Sequence, residues 1–465
     1  MSDGSRGDGG TGDGGTGEDG TGDGEAELES SLRKELRHRL RPLTGIVPRG
    51  QERAVTPLEL LYDLTYVIAF AAAAEELTAA VAEGHAASGV GAYLFAIFAV
   101  GWAWLNFTWY TSAYGNDDAL FRVATIVQMV GVVVLIFGLP QSFHDAAEGL
   151  SPNNLLVVVG YVVMRVPLML LWLRAARHDE EHRKSAIAYA ITIAIAQTGW
   201  LLIAIVPMPA LVAVLALIAL VLAEMAARVV IENGLGWTPW NASHIAERFG
   251  LLTLICLGEV VAATVRAVAV LTEEQGWSVA AVMIAASGLV LAAGLWWAYY
   301  LVPSGVILRR WPERVFAWRY THLPLFAAIP AVGAGLRLAA EALEGGELSL
   351  LQIAVALVVP VASVIVLVFV LWSVLVRSWD LTHLPLLVVT LVPLAAAVVV
   401  AAIASEGSPF DPEHLGDLGA LVVVIGLVAL SVVVEVVGHE LVGYPHTVRA
   451  LERQARGSLP QFMRE

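Results

Sequence analysis

The sequence predicts an all-α integral membrane protein of about twelve transmembrane helices, with both termini cytoplasmic. Three observations carry that expectation. Of 465 residues, 58% are hydrophobic and only 15% charged, against about 45–50% and 25% in an average soluble domain. The apolar residues fall into successive runs, each near the ~20 residues that cross a bilayer as a helix. Lys and Arg concentrate in alternate loops, the bias that marks the cytoplasmic side.

Residues 1–30 hold nine acids and one base, Arg6, and so account for most of the formal net charge of -15. This Gly/Asp/Thr stretch buries too little apolar surface to offset its ordering entropy and reads as a disordered acidic tail. Nor does it read as a cleavable signal peptide, which would place a basic segment before an apolar one. Residues 31–56 form a basic juxtamembrane segment. Its Arg33, Lys34, Arg37, Arg39, Arg41, Arg49 and Arg53 would lie on anionic lipid at 33–53.

Apolar runs follow at 57–83, 88–112, 118–140, 153–176, 185–206 and 208–231, then at 244–270, 277–302, 318–341, 349–376, 384–405 and 415–437. Several hold proline, such as Pro167, Pro324, Pro330, Pro360 and Pro393, which neighbouring helices accommodate in lipid. The basic loops 174–184 and 303–319, together with Arg228, Arg377 and the C-terminal residues, fall on one side of the alternation, whereas 272–276 and 406–417 are acidic. The chain therefore divides into a first six-helix half, 57–243, a second, 244–437, and a cytoplasmic tail, 438–465. Asp63 and Glu75 overlay Glu247 and Glu259 when the halves are superposed in sequence, which suggests two six-helix repeats related by an axis along the membrane normal.

The acidic balance disfavours nucleic acid, which needs a basic face. One cysteine, Cys256, leaves no disulfide framework or thiolate cluster. His439-Glu440 begins a zinc-helix motif, but position 443 is Gly, so the second ligand is missing. No phosphate loop, nucleophile elbow or nucleophile-base spacing is found, so no enzyme, metal or cofactor is expected.

Function therefore rests on charges inside the apolar slab, each of which costs about 2.5–3.5 kcal/mol near its centre unless partnered. Glu59 falls where a capping-box carboxylate reaches back to Thr56. Asp63 lies one turn deeper on the same face, beyond the reach of capping. Arg165 is near mid-membrane, and Glu259 lies about 18 Å along its helix from Glu247. Glu224 has a ready partner in Arg228 at i+4, as does Arg122 in Asp118 at i-4. Glu247 and Arg248 sit near an interface, and Arg266 and Arg337 near outer ends, where long side chains reach water. Trp104 and Trp102 are deep enough to line a cavity or to pack. His322 can titrate near neutral pH or serve as a satisfied core group.

TPLELLYDLTYVIAF, GWAWLNFTWYTSAYGNDDALFR, GYVVMR, HIAERFGLLTLICLGE and YTHL together resemble the bacterial low temperature requirement protein A (LtrA) family over roughly 50–440. The resemblance places Glu59, Leu60 and Asp63 on that family's Glu-Leu-aromatic-x-Asp-Leu pattern, and Glu247, Arg248, Gly258 and Glu259 on its later motif. It implies duplicated six-helix halves and no established reaction. The first helix also looks distantly like the Phe-Ser-Asp helix of an endolysosomal potassium-channel family, although Tyr62-Asp63 lacks the Ser. The expected function is a secondary transporter or ion-permeation protein of the cell (cytoplasmic) membrane, moving an ion or small solute. Its pathway residues are Asp63, Arg165 and Glu259, with Glu59, Glu247, Arg248, Arg122, Trp104 and His322 around them. The alternative is a non-transporting membrane protein that supports envelope function or lipid adaptation in the cold, its buried charges structural. Closure of every buried charge in a dry pair would count against the first.

Overall fold

A computed structural model describes residues 53–150, 154–377, 383–405 and 408–457. The acidic tail and nearly all of the basic 31–56 segment lie outside the described residues. Among those described, the structure is helical with no strand, and twelve helices are long and apolar enough to cross a membrane.

The first six are α1 (Pro57–Ala82), α2 (Ala86–Tyr114), α3 (Ala119–Ala147), α4 (Leu155–His178), α5 (Arg183–Ile205) and α6 (Ala210–Leu235). After them come α7 (Ala242–Gln275), α8 (Val279–Tyr300) and a short α9 (Ser304–Arg310). The chain ends in α10 (Val315–Leu343), α11 (Leu350–Val376), α12 (His383–Ser405), α13 (Leu415–Gly438) and α14 (Tyr444–Gly457). Residues 438–457, within the expected C-terminal tail 438–465, continue through a π-helical turn at His439–Gly443 into α14.

Local sequence sets the starts. Thr56 and Glu59 form a reciprocal capping box, with Pro57 at the first helical position, where its missing N–H costs nothing. Ser349 and Gln352 repeat the device at α11, and single side-chain caps come from Asp118, Asn154, Asn241 and Ser278. Each satisfies one of the donors that a helix start leaves over.

Packing runs α1 on α2 and α3, α3 on α4, α4 on α5 and α5 on α6. The later helices repeat much of this order, with α7 on α8 and α10, α10 on α11, α11 on α12 and α12 on α13. The two sets meet where α1 and α2 contact α7 and α10. Helix α10 is the centre: 89% of its most apolar window is buried, against 17% for α6. Leu211, Leu215, Leu222 and Val230 of α6 are exposed, a surface suited to lipid. Helices α3 and α4 cross closely because glycines face each other. A Cβ on Gly160 would stand 2.6 Å from the backbone nitrogen of Leu135 and 2.7 Å from the Gly131 carbonyl, the small-residue contact common between membrane helices.

Candidate functional site

The start of α1 is sealed by polar groups from α2 and α7. Glu59, besides capping its own helix, accepts from His244 Nε2 at 3.1 Å and from Arg53 at 3.4 Å. One turn deeper, Asp63 Oδ1 accepts from Trp104 Nε1 at 2.7 Å and pairs with the Arg248 guanidinium. Arg248 also donates to Thr111 Oγ1 at 3.0 Å, and its guanidinium carbon lies 5.4 Å from the Trp104 ring centroid. Arg53 donates to the Thr111 carbonyl, while Ser112 and Asn241 exchange hydrogen bonds at 2.8 and 3.2 Å. Asp63 and Arg248 are both fully buried. Arg248 is thus enclosed although it stands near a helix start, because the end of α2 closes over the start of α7.

A second cluster lies within the first six helices. Arg165 on α4 pairs with Glu224 on α6, and Arg228 donates to the same Glu224 oxygen, Oε1, at 3.2 Å. Glu224 is therefore shared, rather than belonging to Arg228 alone as the i+4 spacing suggests. The Arg228 guanidinium lies 4.6 Å from the Tyr189 ring centroid. Tyr189 in turn donates to Glu232 at 2.5 Å, and Glu232 also accepts from Trp109, Thr238 Oγ1 and the Thr238 backbone. Arg319 of α10 sits 4.7 Å from the Trp109 ring centroid. Neither Glu232 nor Arg319 was legible as a site from depth, since both lie near helix ends; the tryptophan and tyrosine at matching depth on neighbouring helices were the available signal.

Glu259 pairs with Arg337 of α10, an arginine whose place near a helix end suggests water instead. Both side chains keep about a tenth of their surface, 11% and 12%. Arg122 bonds Asp117 at 2.7 and 2.9 Å rather than Asp118, because Asp118 is taken up in capping α3 and in pairing with Arg174. Glu247 is exposed. His322 is buried, its two ring nitrogens 3.0 Å from Tyr299 Oη and 2.8 Å from the Trp318 carbonyl, the satisfied core alternative. The three charges singled out by depth, Asp63, Arg165 and Glu259, thus occupy three separate pairs. Two of these are fully buried, the third is partly open, and Arg165 keeps nitrogens with no hydrogen-bond partner. Among the described residues no group of three or more His, Cys, Asp or Glu is placed to hold a metal.

A helical bundle with twelve candidate membrane crossings and ion pairs buried between them defines a polytopic membrane protein. The chain belongs to the family of bacterial low temperature requirement A proteins (LtrA), whose pattern matches residues 54–409. It is also similar to an uncharacterized protein of Rhizobium meliloti (strain 1021), 28% identical over 223 residues that cover 45% of this chain and 50% of that one. The chain thus spans about half the length of this curated relative. No solved structure matches.

Proposed function

We propose that the protein is a secondary transporter or ion-permeation protein of the cell membrane, built as two six-helix repeats with both termini cytoplasmic. Recurrence of the packing order between α1–α6 and α7–α13 supports the repeat. The observation that carries the transport reading is the Asp63–Arg248 pair, which joins α1 to α7 where the two helix sets touch. Carriers bind cargo and coupling ions at such seams, and alternate access rocks one set against the other. Protonation of Asp63, or cation binding beside it, releases Arg248 and loosens the seam. Glu259–Arg337 is the corresponding group nearer the other end of α7.

Flux of protons, alkali cations and small solutes into liposomes holding the purified protein tests this reading. Flux that falls in Asp63→Asn, with the protein still folded, supports it; absence of any flux, together with an unchanged cellular phenotype in Asp63→Asn, refutes it. A second reading is favoured by how completely Asp63 and Arg248 are enclosed and bonded. In it the pairs fix helix register in a protein that serves envelope function or lipid state in the cold. There Arg165→Met lowers stability without selectively removing activity, and deletion of 31–53 disturbs membrane association or phenotype.

A further inference from the structure

On the side of the bundle where α2, α4 and α6 begin, a cavity of about 600 Å³ opens between α2, α3, α4 and α6. Helix α6 packs mainly on α5, which leaves this space along its other side. The polar lining gathers at the helix ends, with Ser88 of α2, Ser142 and Asp145 of α3, and Asn154, the cap of α4. From there α2 lines the cavity as far as Phe98 and α6 as far as Leu222, so it runs roughly 15–18 Å along the helices. Beyond the mouth the wall is apolar and includes Phe95, Phe98, Leu217 and Val221.

Asp145 is the one charged residue in this lining, and among the described residues no Lys, Arg or His joins it there. It is only 8% exposed, yet its carboxylate is half used. Oδ1 accepts from Gln141 Nε2 at 2.6 Å, and the largely exposed His144 imidazole stands 3.9 Å from that same oxygen. Oδ2 accepts from no described residue. The other polar groups at the mouth are already engaged. Asn154 donates to the Gly138 carbonyl and to Ser142 Oγ while its own oxygen accepts from the start of α4, and Ser88 donates to the His85 carbonyl. A carboxylate has about four lone-pair positions, and a charge out of water is tolerated when it is paired and hydrogen-bonded. The open oxygen thus calls for a donor, and its charge for a cation.

We infer that this cavity binds a primary alkylammonium ion, with the ammonium on Asp145 Oδ2 at the mouth and the aliphatic body along the apolar wall. An ammonium supplies three donors and the missing positive charge. A hydrated metal ion gains nothing from an apolar wall and finds no second carboxylate in the lining. An aminophospholipid carries a phosphate between its ammonium and its chains, and the lining offers no base to meet it. The volume lies within the range of small-molecule sites. The cavity shares no residue with the Asp63–Arg248 seam, so its occupancy does not depend on the transport reading.

The test is titration of the full-length protein in phosphatidylcholine nanodiscs with octylamine, octanol and octanoate, corrected for empty nanodiscs. Tryptophan fluorescence and the thermal unfolding midpoint follow binding, since the lining residues Phe95 and Phe98 lie 5.8 and 5.9 Å, centroid to centroid, from Trp200 and Trp102. Saturable octylamine binding is expected, about tenfold or more tighter than octanol or octanoate. Asp145→Asn weakens octylamine by at least about tenfold and leaves octanol unchanged. Ala92→Phe, at another lining position, fills the cavity without touching a charge and abolishes octylamine binding, which keeps the test decisive if Asp145→Asn does not fold. Adding phosphatidylethanolamine to the nanodiscs leaves octylamine affinity as it was. No saturable octylamine binding in wild type, equal binding of octanol or octanoate, or unchanged affinity in folded Asp145→Asn or Ala92→Phe overturns the inference. Displacement of octylamine by phosphatidylethanolamine overturns it as well, because the cavity then holds lipid.

Discussion

Replacing Arg248 by Met keeps most of the side-chain volume but deletes the charge that compensates Asp63. In wild type Asp63 is fully buried and holds two partners, Arg248 and Trp104 Nε1; in Arg248→Met only the Trp104 N–H remains. Breaking a buried pair by removing one member costs about 3–5 kcal/mol, because a charge is left uncompensated in a poorly polarisable site. The Thr111 hydroxyl loses a donor at 3.0 Å as well, worth about 1 kcal/mol. The sum is a large fraction of the 5–15 kcal/mol typical of a whole protein. Asp63→Asn combined with Arg248→Met removes both charges, so part of the loss should return, with a coupling of about 0.5–3 kcal/mol. The assay is survival of monodisperse protein in detergent across a heat gradient, for wild type, both single variants and the double. A stable Arg248→Met, or a double variant as unstable as the sum of its parts, refutes the enclosed-pair account.

Glu259→Gln strands Arg337, but that pair keeps contact with its surroundings, so the same heat assay should show a smaller loss than for Arg248→Met, with exposed pairs worth about 0–1 kcal/mol as the lower bound. Gly160→Ala forces a Cβ against the backbone of α3 and should destabilise by about 1–3 kcal/mol; an unchanged unfolding midpoint would contradict the close α3–α4 crossing. Outside the spans, the hydrogen bond and charge of Asp417 raise the pKa of His414 above its ordinary 6.5. The stabilisation this pair gives is fully present below that ordinary value and is lost as pH rises through the raised one. An NMR titration of the His414 ring should show the raised value in wild type and its return to the ordinary one in Asp417→Asn.

How much of this was legible in the sequence follows from the range of the forces involved. The crossings were, because bilayer thickness and the charge bias of loops act on each segment separately, and the twelve spans fall on the twelve helices. That Asp63, Arg165 and Glu259 lie between helices and need partners was also legible, since depth along one helix is a one-dimensional quantity. Their partners were not. Arg248 is 185 residues from Asp63, and its place near the start of α7 suggests water until the end of α2 is seen to cover it. Likewise, the i+4 spacing pointed Glu224 at Arg228 alone, and the sharing with Arg165 depends on how α4 and α6 meet.

Helix α10 ties both sets of helices into one object during biosynthesis. It emerges ninth among the spans, yet its faces are completed by α1 and α2, made long before it, and by α11, made after it. Until those neighbours gather, Arg319 and His322 would confront fatty acyl chains. A chain cut between α6 and α7 should therefore yield two fragments that are short-lived alone and recover when co-expressed, because neither contains every helix that shelters α10.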